Sequence, residues 1–212
     1  MGPAALGIAI WLIVGRGWRM ALWWCLLFIA GMSLVAVSKI AFIGWGIGIR
    51  SIDFTGFSGH SMRATAVFPV LFYLILQKAP PVARVSGVLL GIVFGVIIGI
   101  SRLVLHSHSV SEAAAGCVLG SMVSLSFIWI LGPSQKFVLY RSLIALSLIT
   151  LLVAPYAEPA PTQRWLIDLS LYLSGHDRPF VRQGWKLAPS NWPLQRSVYR
   201  ERILLQEQTT GL

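Results

Sequence analysis

The chain has 212 residues, 56% of them hydrophobic and 11% charged. Soluble domains carry about 25% charged residues, so long apolar runs with this little charge exclude an ordinary soluble domain. The net charge of +10 comes without a basic run or a nucleic-acid motif, which leaves lipid headgroups and membrane topology as its use and argues against nucleic acid.

Six apolar segments follow one another, at about 3–14, 20–43, 61–77, 84–105, 110–131 and 137–155. Several have the roughly 20 residues that a helix needs to cross about 30 Å of hydrocarbon; the first and third are short. Helix is the required form, because an open strand edge in lipid leaves backbone groups unpaired. The first segment lacks a basic leader and an Ala-x-Ala cleavage site, so it reads as a short or tilted span and not as a cleaved signal. The expected fold class is all-α: a polytopic membrane helix bundle of about six transmembrane helices over 1–157, followed by an interfacial tail over 158–212.

The linkers set the orientation. Arg16 and Arg19 lie between the first two segments, Lys78 and Arg84 between the third and fourth, Lys136 and Arg141 around the join of the fifth and sixth. All three joins fall on one side, and the positive-inside rule makes it the cytoplasmic side of a bacterial inner membrane. Residues 44–60, 105–109 and the tail then face the periplasm. Along the fourth segment Gly87, Gly91, Gly95 and Gly99 recur at every fourth position, a smooth ridge for a neighbouring helix. Cys25 and Cys117 both stand inside apolar runs and supply neither a disulfide framework nor a metal cluster. The tail mixes Trp165, Tyr172, Phe180, Trp185, Trp192 and Tyr199 with Arg164, Arg178, Arg182, Lys186, Arg196, Arg200 and Arg202. That composition suits headgroup depth, either as a lid over a site or as a segment lying on the bilayer.

Ionisable residues near a span are costly and mark function. Lys39, Arg50, His60, Arg102, His108 and Glu112 all fall at the outward ends of segments two to five or in the outward loops, and nothing comparable gathers at the other side. His108 and Glu112 are four apart, which on a helix puts both on one face. A carboxylate on one imidazole nitrogen fixes the tautomer and leaves the other nitrogen to attack. Arg102 lies six residues before His108, where its planar fork can hold two phosphate oxygens. Ser58-Gly59-His60 opens the third segment; amides at a helix start beside a glycine form an anion seat, and His60 is placed to protonate a leaving oxygen.

These residues resemble a known family. The stretch Ser101-Arg102-Leu103-Val104-Leu105-His106-Ser107-His108-Ser109-Val110-Ser111-Glu112 is similar to the third signature of the type 2 phosphatidic acid phosphatase superfamily, Ser-Arg-x5-His-x3-Asp. Phe57-Ser58-Gly59-His60 resembles the second, Pro-Ser-Gly-His, and Lys39 matches the lysine opening the first, Lys-x6-Arg-Pro. There are three departures. Glu112 replaces Asp, Phe57 replaces proline, and Gly46 stands where the first-signature arginine belongs. Arg50, reached through the glycine-rich stretch 44–49, or Arg63, one turn into the third segment, is left to replace that arginine.

The resemblance implies that His108 attacks phosphorus, Glu112 orients it and His60 protonates the leaving group. Lys39, Arg50 and Arg102, with the Ser58 and Gly59 amides, would hold the phosphoryl oxygens, and no metal or other cofactor takes part. The implied activity is a membrane lipid phosphatase that hydrolyses a lipid phosphate or pyrophosphate through a phosphohistidine. Two alternatives stand beside it. One is a phosphotransferase of the same fold with an isoprenyl pyrophosphate donor; the other is a non-catalytic lipid-phosphate binder or transport component, suggested by the broken first signature. His106 and the tract Ser174-Gly175-His176-Asp177 fall outside the pattern and receive no catalytic role. Asp53 is expected to pair with Arg50 or Arg63, or to be solvated.

Overall fold

The structure, a computed structural model, describes residues 2–104, 108–132, 162–176 and 178–182. Among these the chain is all-α: α1 (Gly2–Val14), α2 (Trp18–Trp45), α3 (Gly59–Ile75), α4 (Pro81–Val104), α5 (Val110–Leu131) and α6 (Thr162–Ser174), with a 3-10 turn at Arg50–Ile52. One antiparallel bridge, Ile49 to Phe54, pinches the loop between α2 and α3. Helices α2, α4 and α5 are long and apolar enough to cross a membrane, while α1 has 13 residues and α3 has 17. The expected segment 137–155, with Lys136, Arg141, His106 and the tail after Arg182, lies outside the described residues.

α3 runs through the middle, with Met62, Ala66, Val67, Val70 and Leu74 all buried. Its neighbours reach it through glycine. A Cβ added at Gly91 of α4 would stand 2.6 Å from the N and Cα of Pro69, and one at Gly95 would stand 2.8 Å from the Cα of Thr65. So α3 is the partner of the glycine ridge on α4. A second ridge, Gly116 and Gly120 of α5, meets α3 from another side: a Cβ at Gly116 would lie 2.6 Å from the Ser58 carbonyl oxygen. Lipid tails are as apolar as leucine, so close backbone approach of this kind, and not hydrophobic burial, is what draws spans together.

The two ends of α3 differ. Toward its C-terminus it shares an apolar cluster with Ile8 and Leu12 of α1, Trp24 of α2, and Phe127 and Leu131 of α5. Trp24 Nε1–H donates to the Ala5 carbonyl at 2.9 Å, which ties α1 to α2, and its ring meets Phe127 edge-on at 5.3 Å. Toward its N-terminus α3 meets the end of α4, the start of α5 and the loop 46–58.

α2 stops at Gly46, whose φ of +68° suits a residue without Cβ. Its amide donates to the Phe42 carbonyl at 2.8 Å and the Ile47 amide to the Ala41 carbonyl at 3.3 Å. α6 lies on these last turns. Ile167 packs on Phe42 and Ile43, and Gly44 leaves room for Ser170 and Ser174. Past α6 the chain is fastened to the α2 backbone. His176 Nδ1 binds the Gly44 carbonyl at 2.6 Å, and the Phe180 amide donates to the Ile43 carbonyl at 2.9 Å. The Phe180 ring lies over Gly46, 2.9 Å from where a Cβ would stand. The tract around His176, without a role in the sequence, is thus part of a clasp.

Candidate active site

α5 opens with a capping box. Ser109 Oγ accepts from the Glu112 amide at 3.3 Å, and Glu112 Oε2 accepts from the Ser109 amide at 3.3 Å. Glutamate is the acid this box uses at its third position, which gives the Asp-to-Glu departure a local reason. Turned back past the helix start, Oε2 also meets His108 Nδ1 at 2.7 Å. His108 precedes the cap residue and is outside the helix, so the two meet through the cap and not, as their spacing suggested, along one helical face. A carboxylate only accepts, so Nδ1 carries the proton and Nε2 is left without one.

The other carboxylate oxygen is as fully engaged. Glu112 is 1% exposed, and its Oε1 accepts from the Thr55 amide at 2.9 Å and from the Thr55 hydroxyl. Arg182, from the segment after α6, donates to the same oxygen through Nη2 at 2.5 Å. That Nη2 also reaches Thr55 Oγ1 at 3.2 Å, and Arg182 Nε lies 3.8 Å from Asp53 Oδ1. Neither Thr55 nor Arg182 was singled out for chemistry in the sequence. The one signal for the arginine was a buried acid in need of a cation, and the basic tail holds many.

The start of α3 is built around Ser58. Its Oγ accepts from the Ser61 amide at 3.4 Å as the helix cap. Its own amide donates to the Glu112 carbonyl at 3.1 Å, tying α3 to α5. The expectation that the Ser58 amide faces a phosphate is corrected by that bond; the Gly59 amide, in the first turn, is unaffected by it. The Phe57 amide donates to Ser38 Oγ at 3.1 Å, a bond that proline at this position would lose. The second departure therefore has a local reason too: Phe57 keeps the loop on α2 beside Lys39.

The cations gather unevenly. Arg63, Arg102, His108 and Lys39 all act electrostatically on His60, which is exposed. Arg63 folds back toward the helix start, its Nε donating to the Gly59 carbonyl at 2.8 Å. Arg102, in the last turn of α4, has a buried Nε without a hydrogen-bond partner among the described residues. Lys39 lies in the field of Glu112 and of Arg63. Arg50 sits exposed in the 3-10 turn and is not among the charges acting on His60. The structure brings Lys39, His60, Arg63, Arg102, His108 and Glu112 together.

Residues 48–136, which include both histidine-bearing stretches, match the family model of the PAP2 superfamily. A 22.5 kDa protein in the cps region of Klebsiella pneumoniae is 35% identical over 185 residues, 85% of this chain and 88% of that protein. The chain belongs to the PAP2 superfamily. Phosphatidylglycerophosphatase B of Bacillus subtilis (strain 168) is 30% identical to this PAP2 protein over 95 residues, 44% of this chain and 45% of the relative. Membership bears out the resemblance carried by the signatures and sets the general class, a phosphatase. Lys39 precedes the matched region of this PAP2 chain, where the first signature is broken. No solved structure matches the chain.

Proposed function

We propose that this PAP2 protein hydrolyses a lipid phosphate or pyrophosphate through a phosphohistidine on His108, at the periplasmic face of a bacterial inner membrane. The observation that carries the reading is the 2.7 Å contact of His108 Nδ1 with the buried Glu112 carboxylate, beside a histidine surrounded by Lys39, Arg63 and Arg102. Nε2 of His108 attacks phosphorus, the bond to the lipid oxygen breaks, and His60 gives that oxygen a proton. Glu112 stabilises the positive ring that results. Water then attacks phosphorus, His60 takes a proton from it, and the N–P bond breaks to release phosphate. Lys39, Arg63, Arg102 and the Gly59 amide hold the equatorial oxygens, where charge spreads in the transition state.

A site at the ends of apolar helices supports a lipid substrate, and the named relative makes phosphatidylglycerophosphate one member of the class to test. The purified protein is incubated with radiolabelled phosphatidate, phosphatidylglycerophosphate, undecaprenyl pyrophosphate and lipid A, then quenched. Free phosphate, and an acid-labile phosphoenzyme missing from His108→Ala, are the expected results, with turnover of that variant down at least about 10³-fold. Label moved to a second lipid would mean transfer. Neither product nor phosphoenzyme would leave only a binder.

A further inference from the structure

We infer that Arg182 is a positioning residue for His108, delivered to the site by the C-terminal segment and acting through Glu112. The inference rests on the reading of His108 as the nucleophile. Glu112 is 1% exposed, and a buried carboxylate without a cation is strongly unfavourable. Arg182 is the cation in direct contact with it, at 2.5 Å on Oε1. Because Nη2 of Arg182 bridges Glu112 Oε1 and Thr55 Oγ1, it holds the carboxylate in the orientation that presents Oε2 to His108. Lys39 also lies in the field of Glu112. Without Arg182 the carboxylate is drawn toward Lys39, and the grip on Nδ1 loosens.

The contacts described for Arg182 are Glu112, Thr55 and Asp53. It works through the carboxylate and not on the phosphate. Its reach is set by the clasp: the Phe180 amide on the Ile43 carbonyl and His176 on the Gly44 carbonyl fix the backbone within a few residues of it. The fork also matters, since Nη2 serves Glu112 and Thr55 while Nε lies toward Asp53. Lysine keeps the charge and loses that geometry.

The test uses full-length protein in detergent with the lipid that the panel identifies. Arg182→Met is expected to lower kcat about 10–100-fold, the usual cost of losing a group that orients a reacting residue, with KM changed less than about twofold. Arg182→Lys should recover part of the loss, and millimolar guanidinium should restore Arg182→Ala. Thermal unfolding measured alongside separates orientation from folding. An active wild type whose Arg182→Met variant keeps its kcat overturns the inference alone. So does a rise in KM with kcat unchanged, which would make Arg182 a substrate ligand. A loss that follows a lowered unfolding temperature and answers to neither lysine nor guanidinium also overturns it, leaving Arg182 with packing only. A wild type that releases no phosphate from any lipid overturns this inference and the phosphatase reading together.

Discussion

At the C-terminal end of α3, Val70 and Leu74 share a cluster with Trp24, Phe127, Ile8 and Leu12 that is held by shape, whereas at the N-terminal end Glu112 alone takes five donors, from His108, Ser109, Arg182 and two from Thr55. The apolar end can be rebuilt from any side chains of suitable volume. The polar end cannot, because each donor there answers to one oxygen, and removing a partner leaves a buried group unpaired. One end of the same helix is therefore apolar packing and the other a network of fixed donors, the end that the proposed function uses for chemistry.

Four substitutions probe that division, in order of their effect on turnover. Glu112→Gln keeps the shape but presents an amide to His108 and removes the charge that fixes its tautomer; phosphate release should fall about 10⁴-fold, as in other carboxylate-supported histidines. A loss of less than about tenfold would detach Glu112 from the chemistry. Arg63→Ala should lower kcat/KM about 10²-fold, the scale of losing one charge-stabilising donor, and Arg50→Ala should cost less than a tenth of that on the same lipid. The reverse order would return the first-signature role to Arg50. Trp24→Ala, at the far end, should lower stability by about 3–5 kcal/mol, read by thermal unfolding in detergent, with kcat per folded molecule unchanged. A fall in kcat there would show that α3 transmits strain from one end to the other.

The bundle was legible because lipid demands unbroken apolar runs: the expected segments at 20–43, 84–105 and 110–131 become α2, α4 and α5 with shifts of at most three residues. The ridge on α4 was legible from its period of four, but a period names no partner, and Pro69 and Thr65 of α3 emerged only from the packing. The meeting of His108 and Glu112 was read from their spacing, while its cause, the capping box at Ser109, depends on where the helix begins. The Ser58 amide was assigned to phosphate because helix starts bind anions; a backbone contact with α5 competes for it, and no local pattern encodes a contact between residues 54 positions apart. Arg182 was illegible for the same reason. Seventy positions separate it from Glu112, and a tail of alternating rings and cations offers no way to choose among its arginines.

The fastening of the tail to carbonyls of α2 makes that helix a ruler. Lys39 and the two anchor points, Ile43 and Gly44, stand on one rigid rod, so the lysine and the arginine are set at a fixed offset without touching. A one-residue deletion between them would swing the anchorage about 100° around the rod and draw it back about 1.5 Å. Drift in the side chains between these marks is tolerable; a change in their number is not.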